Sequence, residues 1–178
     1  MSLASPLSAE MDNLDMEAVA RVARAVELRE IHLLRAAVSR PGPEPVQGRL
    51  VLDFDCSTRL LEAVEGDHLL PVACDFSLTA RNEEEPQREV MRVEATFLVS
   101  YEVAHPENLS MDDLHHFARI NPLYNAWSYW REFVHSMTTR MGLPPLLVPL
   151  LKIGPRKAPA PPPPAEKKRR GRQTKASS

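Results

Sequence analysis

Residues 121–149 read NPLYNAWSYWREFVHSMTTRMGLPPLLVP, and this stretch decides the fold. Asn121 is suited to cap a helix, and Pro122 to occupy its first turn, where no backbone donor is needed. Leu123, Trp127, Trp130, Val134, Met137 and Met141 follow at steps of four, three, four, three and four. That spacing lays six large apolar side chains along one stripe of a helix. Gly142 supplies a left-handed stop, and Pro144 and Pro145 prevent the helix from resuming. Both tryptophans of the chain lie on the stripe. A helix of this kind needs a sheet beneath it.

The sheet is announced upstream by period-two alternation. In Leu50–Cys56 the apolar positions are Leu50, Leu52, Phe54 and Cys56, with Asp53 and Asp55 facing away. In Leu70–Ala80 the even positions are apolar, and in Met91–Val103 the odd ones are. One dry and one wet face per strand is the mark of an antiparallel sheet. The stretch 26–38, VELREIHLLRAAV, fits neither the helical nor the strand period; it is taken as a strand ended by Pro41-Gly42-Pro43. A short helix is expected within residues 11–25. Another begins at Ser110, where Asp113 completes a capping box. Strands first and helices after give an α+β fold, a four-stranded antiparallel sheet covered on one face by C-terminal helices.

Three segments follow: an N-terminal extension (1–25), a domain (26–153) and a tail (154–178). The tail joins a proline run to EKKRRGRQTKASS; with eight Lys/Arg and one Glu it carries +7. The whole chain carries −2, so the body holds −9. A proline-rich, strongly basic segment has no means of burying surface and is expected to be disordered. The N-terminus is acidic, no apolar run approaches membrane-spanning length, and two cysteines make no disulfide framework. A cytoplasmic protein without membrane insertion is expected. A turn near Glu65-Gly66 would set Cys56 and Cys74 opposite each other as buried free thiols.

Motifs for chemistry are missing. The six glycines form no phosphate loop, and there is neither CxxC nor HExxH. His115 and His116 diverge by roughly 100° on a helix and cannot share a metal from one face; His105 or Asp112 could add a ligand, but a metal site is not expected. Cys56 and Cys74 fall on the dry face, where a thiol is a poor nucleophile. Asp53 and Asp55 read as solvation of a sheet surface. Neither an enzyme, a cofactor nor a metal is expected. What remains is surface. Residues 143–153, LPPLLVPLLKI, are apolar, and their three prolines deny them both helix and central strand. Such a segment packs on its own sheet, joins an oligomer, or lines an apolar groove.

The residues from Trp127 onward resemble the helix-and-loop signature of the SecB protein-export chaperones. Arg131, Glu132, Ser136, Arg140, Pro144, Pro145, Leu146 and Pro149 stand at the positions of that signature, and the order of four strands then helix agrees. The resemblance implies an ATP-independent holdase assembled as a homotetramer, a dimer of dimers. It would hold unfolded preproteins, or a toxin under toxin–antitoxin control, in apolar grooves. Carried onto this chain, it makes Tyr124, Trp127, Leu143, Leu146, Leu147, Val148, Leu150 and Leu151 the client-binding residues. It also implies docking on the SecA motor, although a +7 tail cannot repeat the contacts of the acidic or neutral family tails. The alternative reading is a nucleic-acid or anion-binding adaptor working through Lys167–Arg172, with a strong salt dependence.

Overall fold

The computed structural model describes residues 14–43, 46, 48–62 and 68–151. The basic tail, and with it the adaptor reading, lies outside the described residues, as does the turn at Glu65-Gly66. The elements run α1 (Met16–Ala23), β1 (Val26–Ser39), β2 (Leu50–Leu60), β3 (Leu69–Asn82), β4 (Glu89–Val103), a 3-10 turn (Pro106–Asn108), α2 (Met111–Ala118) and α3 (Asn121–Arg140). The strands form one antiparallel sheet in the order β1-β4-β3-β2, so β1 and β2 are its edges.

The ambiguous stretch is a strand, and the register explains the ambiguity. β1 pairs Val26 with Val103, Leu28 with Tyr101, Ile31 with Val99, Leu33 with Phe97, Ala36 with Ala95 and Val38 with Val93. The register shifts at Arg29 and again at Leu34. Each extra residue is a β-bulge that moves the alternation by one position. The apolar residues therefore stay on one face of the sheet although their spacing in sequence is uneven.

The dry face carries Val72, Cys74, Phe76 and Leu78 of β3 and Val93, Phe97, Val99 and Tyr101 of β4, all buried. α3 lies across it and buries Leu123, Ala126, Trp127, Trp130, Val134 and Thr138. Met137 and Met141 are half-buried, because the stripe passes to Thr138 in its last turn. Trp130 is fully buried and stacks on Phe76, with ring centroids 5.3 Å apart. Asn125 donates to the Tyr101 hydroxyl at 2.7 Å, and burial pushes that hydroxyl up to about 12.

Three sequence expectations change in detail. α3 is capped by Ile120, not Asn121, and without a side-chain bond. α2 runs almost directly into α3, so no extended residue precedes Asn121, and its side chain serves the Tyr101 hydroxyl instead. Cys56 stands opposite Phe76, and Cys74 opposite Thr58, so the two thiols are offset by two residues along the ladder. Both are buried, and burial pushes the Cys74 thiol well up. β2 also extends four residues past Cys56.

α1 is packed into the same body. Val19 and Val22 are buried, and Arg21 donates to Asp113 of α2 at 2.8 Å. Asp113 in turn accepts from the Ser110 hydroxyl at 2.8 Å, within the expected capping box. These bonds to Arg21 and Ser110 hold the Asp113 carboxyl down at about 2.

Candidate client-binding surface

The site grows out of the end of α3. Gly142 takes φ +68°, the left-handed conformation that glycine adopts without cost. The Leu143 amide then bonds the Thr138 carbonyl and the Gly142 amide the Thr139 carbonyl, both at 3.0 Å. This is a Schellman stop, which turns the chain back on the helix. Arg40, at the end of β1, donates to the Met141 carbonyl and ties the same corner to the sheet.

Residues 143–151 then return along the flank of α3. With prolines at 144, 145 and 149 the loop cannot bond its own backbone, and a half-buried backbone needs partners. Three side chains of α3 provide them in succession. The Thr138 hydroxyl accepts from the Leu146 amide at 3.2 Å. Arg131 donates through Nε to the Val148 carbonyl at 2.7 Å. The Trp127 indole N–H donates to the Pro149 carbonyl at 2.9 Å. The helix residues descend while the loop residues ascend, so the loop lies antiparallel to α3.

The pinning sorts the apolar side chains into two sets. Leu143 and Val148 are buried, and Leu146 and Leu151 are half-buried against the core. Leu147 and Leu150 point away, 73% and 67% exposed. Of the two α3 residues, Trp127 is buried and Tyr124 is 46% exposed. Of the eight expected residues, three face solvent: Tyr124, Leu147 and Leu150. Trp127 is the pivot, for its indole meets Phe54 of β2 edge-on at 5.2 Å while bonding the loop.

Arg131, Thr138 and Arg40 escaped sequence reasoning as elements of this site. In the sequence Arg131 stands only as part of a motif, and Thr138 sits where no apolar stripe demands it. A backbone carbonyl leaves no trace in the sequence, so nothing upstream marks which side chain will serve it.

A cavity of about 690 Å³ between the β3–β4 hairpin and the segment after β1 is lined by Arg40, Asn82, Glu84, Arg88 and Glu89 among others, and touches neither Trp127 nor the loop. His116 accepts from the Asp15 amide at 3.3 Å, which employs one ring nitrogen in packing α1. Among the described residues no three His, Cys, Asp or Glu side chains are placed to hold a metal ion. No helix among them is long and apolar enough to cross a membrane.

No protein-family profile matches the chain. Two curated relatives are similar to it, the SecB-like chaperones Rv1957 and MT2006 of two Mycobacterium tuberculosis strains. Each is 27% identical over 158 residues, covering 80% of this chain and 87% of the relative. Among solved structures, the Rv1957 SecB-like chaperone in complex with a ChAD peptide from the Rv1956 HigA1 antitoxin shares the fold. Its TM-score is 0.68 at 23% identity, over 78% of this chain and 99% of that one.

Proposed function

From its similarity to SecB-like chaperones in sequence and fold, we propose that the chain is an ATP-independent holdase that keeps a client protein unfolded against the loop 143–151. The observation that carries the reading is the pinned loop. Three bonds from α3 hold it, and they leave Leu147 and Leu150 outside. Covering one such leucine by a client contributes roughly 1–2 kcal/mol without any demand on direction. Several weak apolar contacts of that kind suit a surface that accepts many sequences. Tyr124, Leu147 and Leu150 meet the client; Leu143, Leu146, Val148, Leu151 and Trp127 hold the groove wall. No catalytic step belongs to this reading, and its place is the cytoplasm.

The complex of the mycobacterial relative with an antitoxin peptide supports an antitoxin-like client and a role in toxin–antitoxin control. Exported preproteins, handed on to SecA, are the other source that the resemblance implies. The homotetramer of the resemblance also finds support. Leu28 and Leu33 of β1 lie on the dry face yet are 47% and 48% exposed, and Tyr129 beside Phe97 is 49% exposed. An apolar margin of this extent suits contact between subunits.

The test is dilution of a chemically denatured client into buffer with the protein and no nucleotide. Light scattering is expected to fall in proportion to added protein, and to fall equally with a chain lacking residues 155–178. Scattering unchanged by the full chain would contradict the reading.

A further inference from the structure

The stop of α3 lacks a donor that its own sequence would normally supply. The last carbonyls of a helix are served by amides a few residues further on. For Thr138 and Thr139 these are the amides of Leu143 and Gly142, both at 3.0 Å. For Met141, continuing the turn, they would be those of residues 144 and 145, which are prolines and have none. The Met141 carbonyl is served instead from 101 residues away in the chain, by the guanidinium of Arg40.

Arg40 is held independently of the helix. It follows directly on β1, whose Val38 and Ser39 are paired with Val93 and Arg92 of β4. The residue is half-buried. Its charge lies at the negative end of the α3 dipole, and a charged donor makes the stronger bond. The guanidinium also stands against the stop itself, since a Cβ on Gly142 would lie 3.6 Å from its Nη1.

The other bonds to the loop have a different origin. Thr138, Arg131 and Trp127 are all residues of α3. They fix the loop to the helix, so the two move as one piece. Other bonds fix that piece to the sheet. Near its start Asn125 bonds Tyr101 of β4 at 2.7 Å. At its stop the bond is that of Arg40. Between them lie buried apolar contacts such as those of Trp130 and Val134, which favour burial without fixing direction. A tilt at the stop is not absorbed further along. Pro144 and Pro145 lock their own φ and confine the residue before each to extended conformations, which leaves Gly142 as the soft joint. The displacement is carried on to Leu147.

Resting on the holdase reading, we propose that Arg40 is a positioning residue of the client surface. From the end of β1 it sets how α3 and its loop stand over the sheet, and so where the outward Leu147 and Leu150 meet the client. It acts through the loop and not by contact with the client. Gly142 is the hinge, the two prolines are the lever, and Arg40 holds the lever in place.

The test is a binding titration with fluorescein-labelled, reduced and carboxymethylated lactalbumin as a permanently unfolded probe. It is run at a temperature where circular dichroism shows every chain folded. Arg40→Ala is expected to weaken binding at least about tenfold, the lower end for loss of a bond from a charged donor. Arg40→Lys keeps a charged donor and is expected to bind within about threefold of the unaltered chain, with the neutral Arg40→Gln between Lys and Ala. A double-mutant cycle then separates positioning from contact. In a chain carrying Leu147→Ala and Leu150→Ala, Arg40→Ala is expected to cost less than about twofold further, because the residues it places are gone.

An undiminished loss in that background would give Arg40 another route to the client and overturn the proposal. Equal binding by the unaltered and Arg40→Ala chains would overturn it too, as would an Arg40→Lys chain no better than Arg40→Ala. Where Arg40→Ala does not fold, Arg40→Gln takes its place in both comparisons, and Gln binding as well as Lys overturns the proposal. Each of these results leaves the holdase reading standing, provided that the unaltered chain binds the probe. An unaltered chain that does not bind it removes the holdase reading and this inference with it.

Discussion

The seam beneath α3 and the loop beside it are made of similar residues and end in opposite states. Trp130 is wholly buried between Phe76 and Phe133, while Leu147 is 73% exposed. Hydrophobicity does not separate them; backbone satisfaction does. A helix bonds its own main chain, so its apolar stripe is free to descend onto the sheet as a block. The loop has prolines in place of donors and depends on Thr138, Arg131 and Trp127. The alternate residues that those bonds draw inward leave Leu147 and Leu150 outside.

The comparison is broken most severely at the seam. Trp130→Ala would empty the centre of the aromatic cluster at a cost of about 3–5 kcal/mol, and client protection should disappear along with the thermal transition. Trp130→Phe sharpens the point. The indole N–H is buried with no partner among the described residues, so phenylalanine removes an unsatisfied donor together with some volume. A cost below about 1.5 kcal/mol by denaturant titration is expected.

On the loop side the effects are smaller. Arg131→Met keeps the apolar stem but removes the charged donor from the Val148 carbonyl. A loss of about 1.5–3 kcal/mol is expected, with faster hydrogen exchange confined to the loop amides. Thr138→Val preserves shape and strands the Leu146 amide, which should cost about 1–2 kcal/mol by thermal melting. A smaller Thr138 effect than Arg131 effect would confirm that the charged bond dominates the pinning.

The weakest effect is one of pH, and it lies away from both regions. Asp113 is held at about 2 in the folded chain against an ordinary 3.8, chiefly by the Arg21 bond. A lowered carboxylate adds stability above its unfolded value, and that stability is lost as pH falls through the folded value. The docking of α1 should therefore weaken between about pH 4 and pH 2. Arg21→Met should flatten that part of an acid titration followed by circular dichroism.

Much of this arrangement was legible in the chain. The strands of clean alternation, the stripe on α3, the glycine stop and the capping box at Ser110 each have a local cause, and all are present. β1 was obscure because two bulges, at Arg29 and Leu34, shift the phase that reading depends on. The cap at Ile120 was missed because the closeness of α2 to α3 is a property of the assembled fold. The division of the loop residues into inward and outward sets rests largely on bonds to backbone carbonyls. Sequence patterns report side chains and are silent about those acceptors.

The central claim is that the outward leucines serve a client and not the fold. The most direct measurement pairs melting temperature with ATP-free suppression of client aggregation for Leu147→Asp combined with Leu150→Asp. Exposed positions tolerate charge to within about 0.5 kcal/mol each, so the melting temperature should stay close to that of the unaltered chain while most of the protection is lost. A double variant that protects the client as well as the unaltered chain would contradict the account.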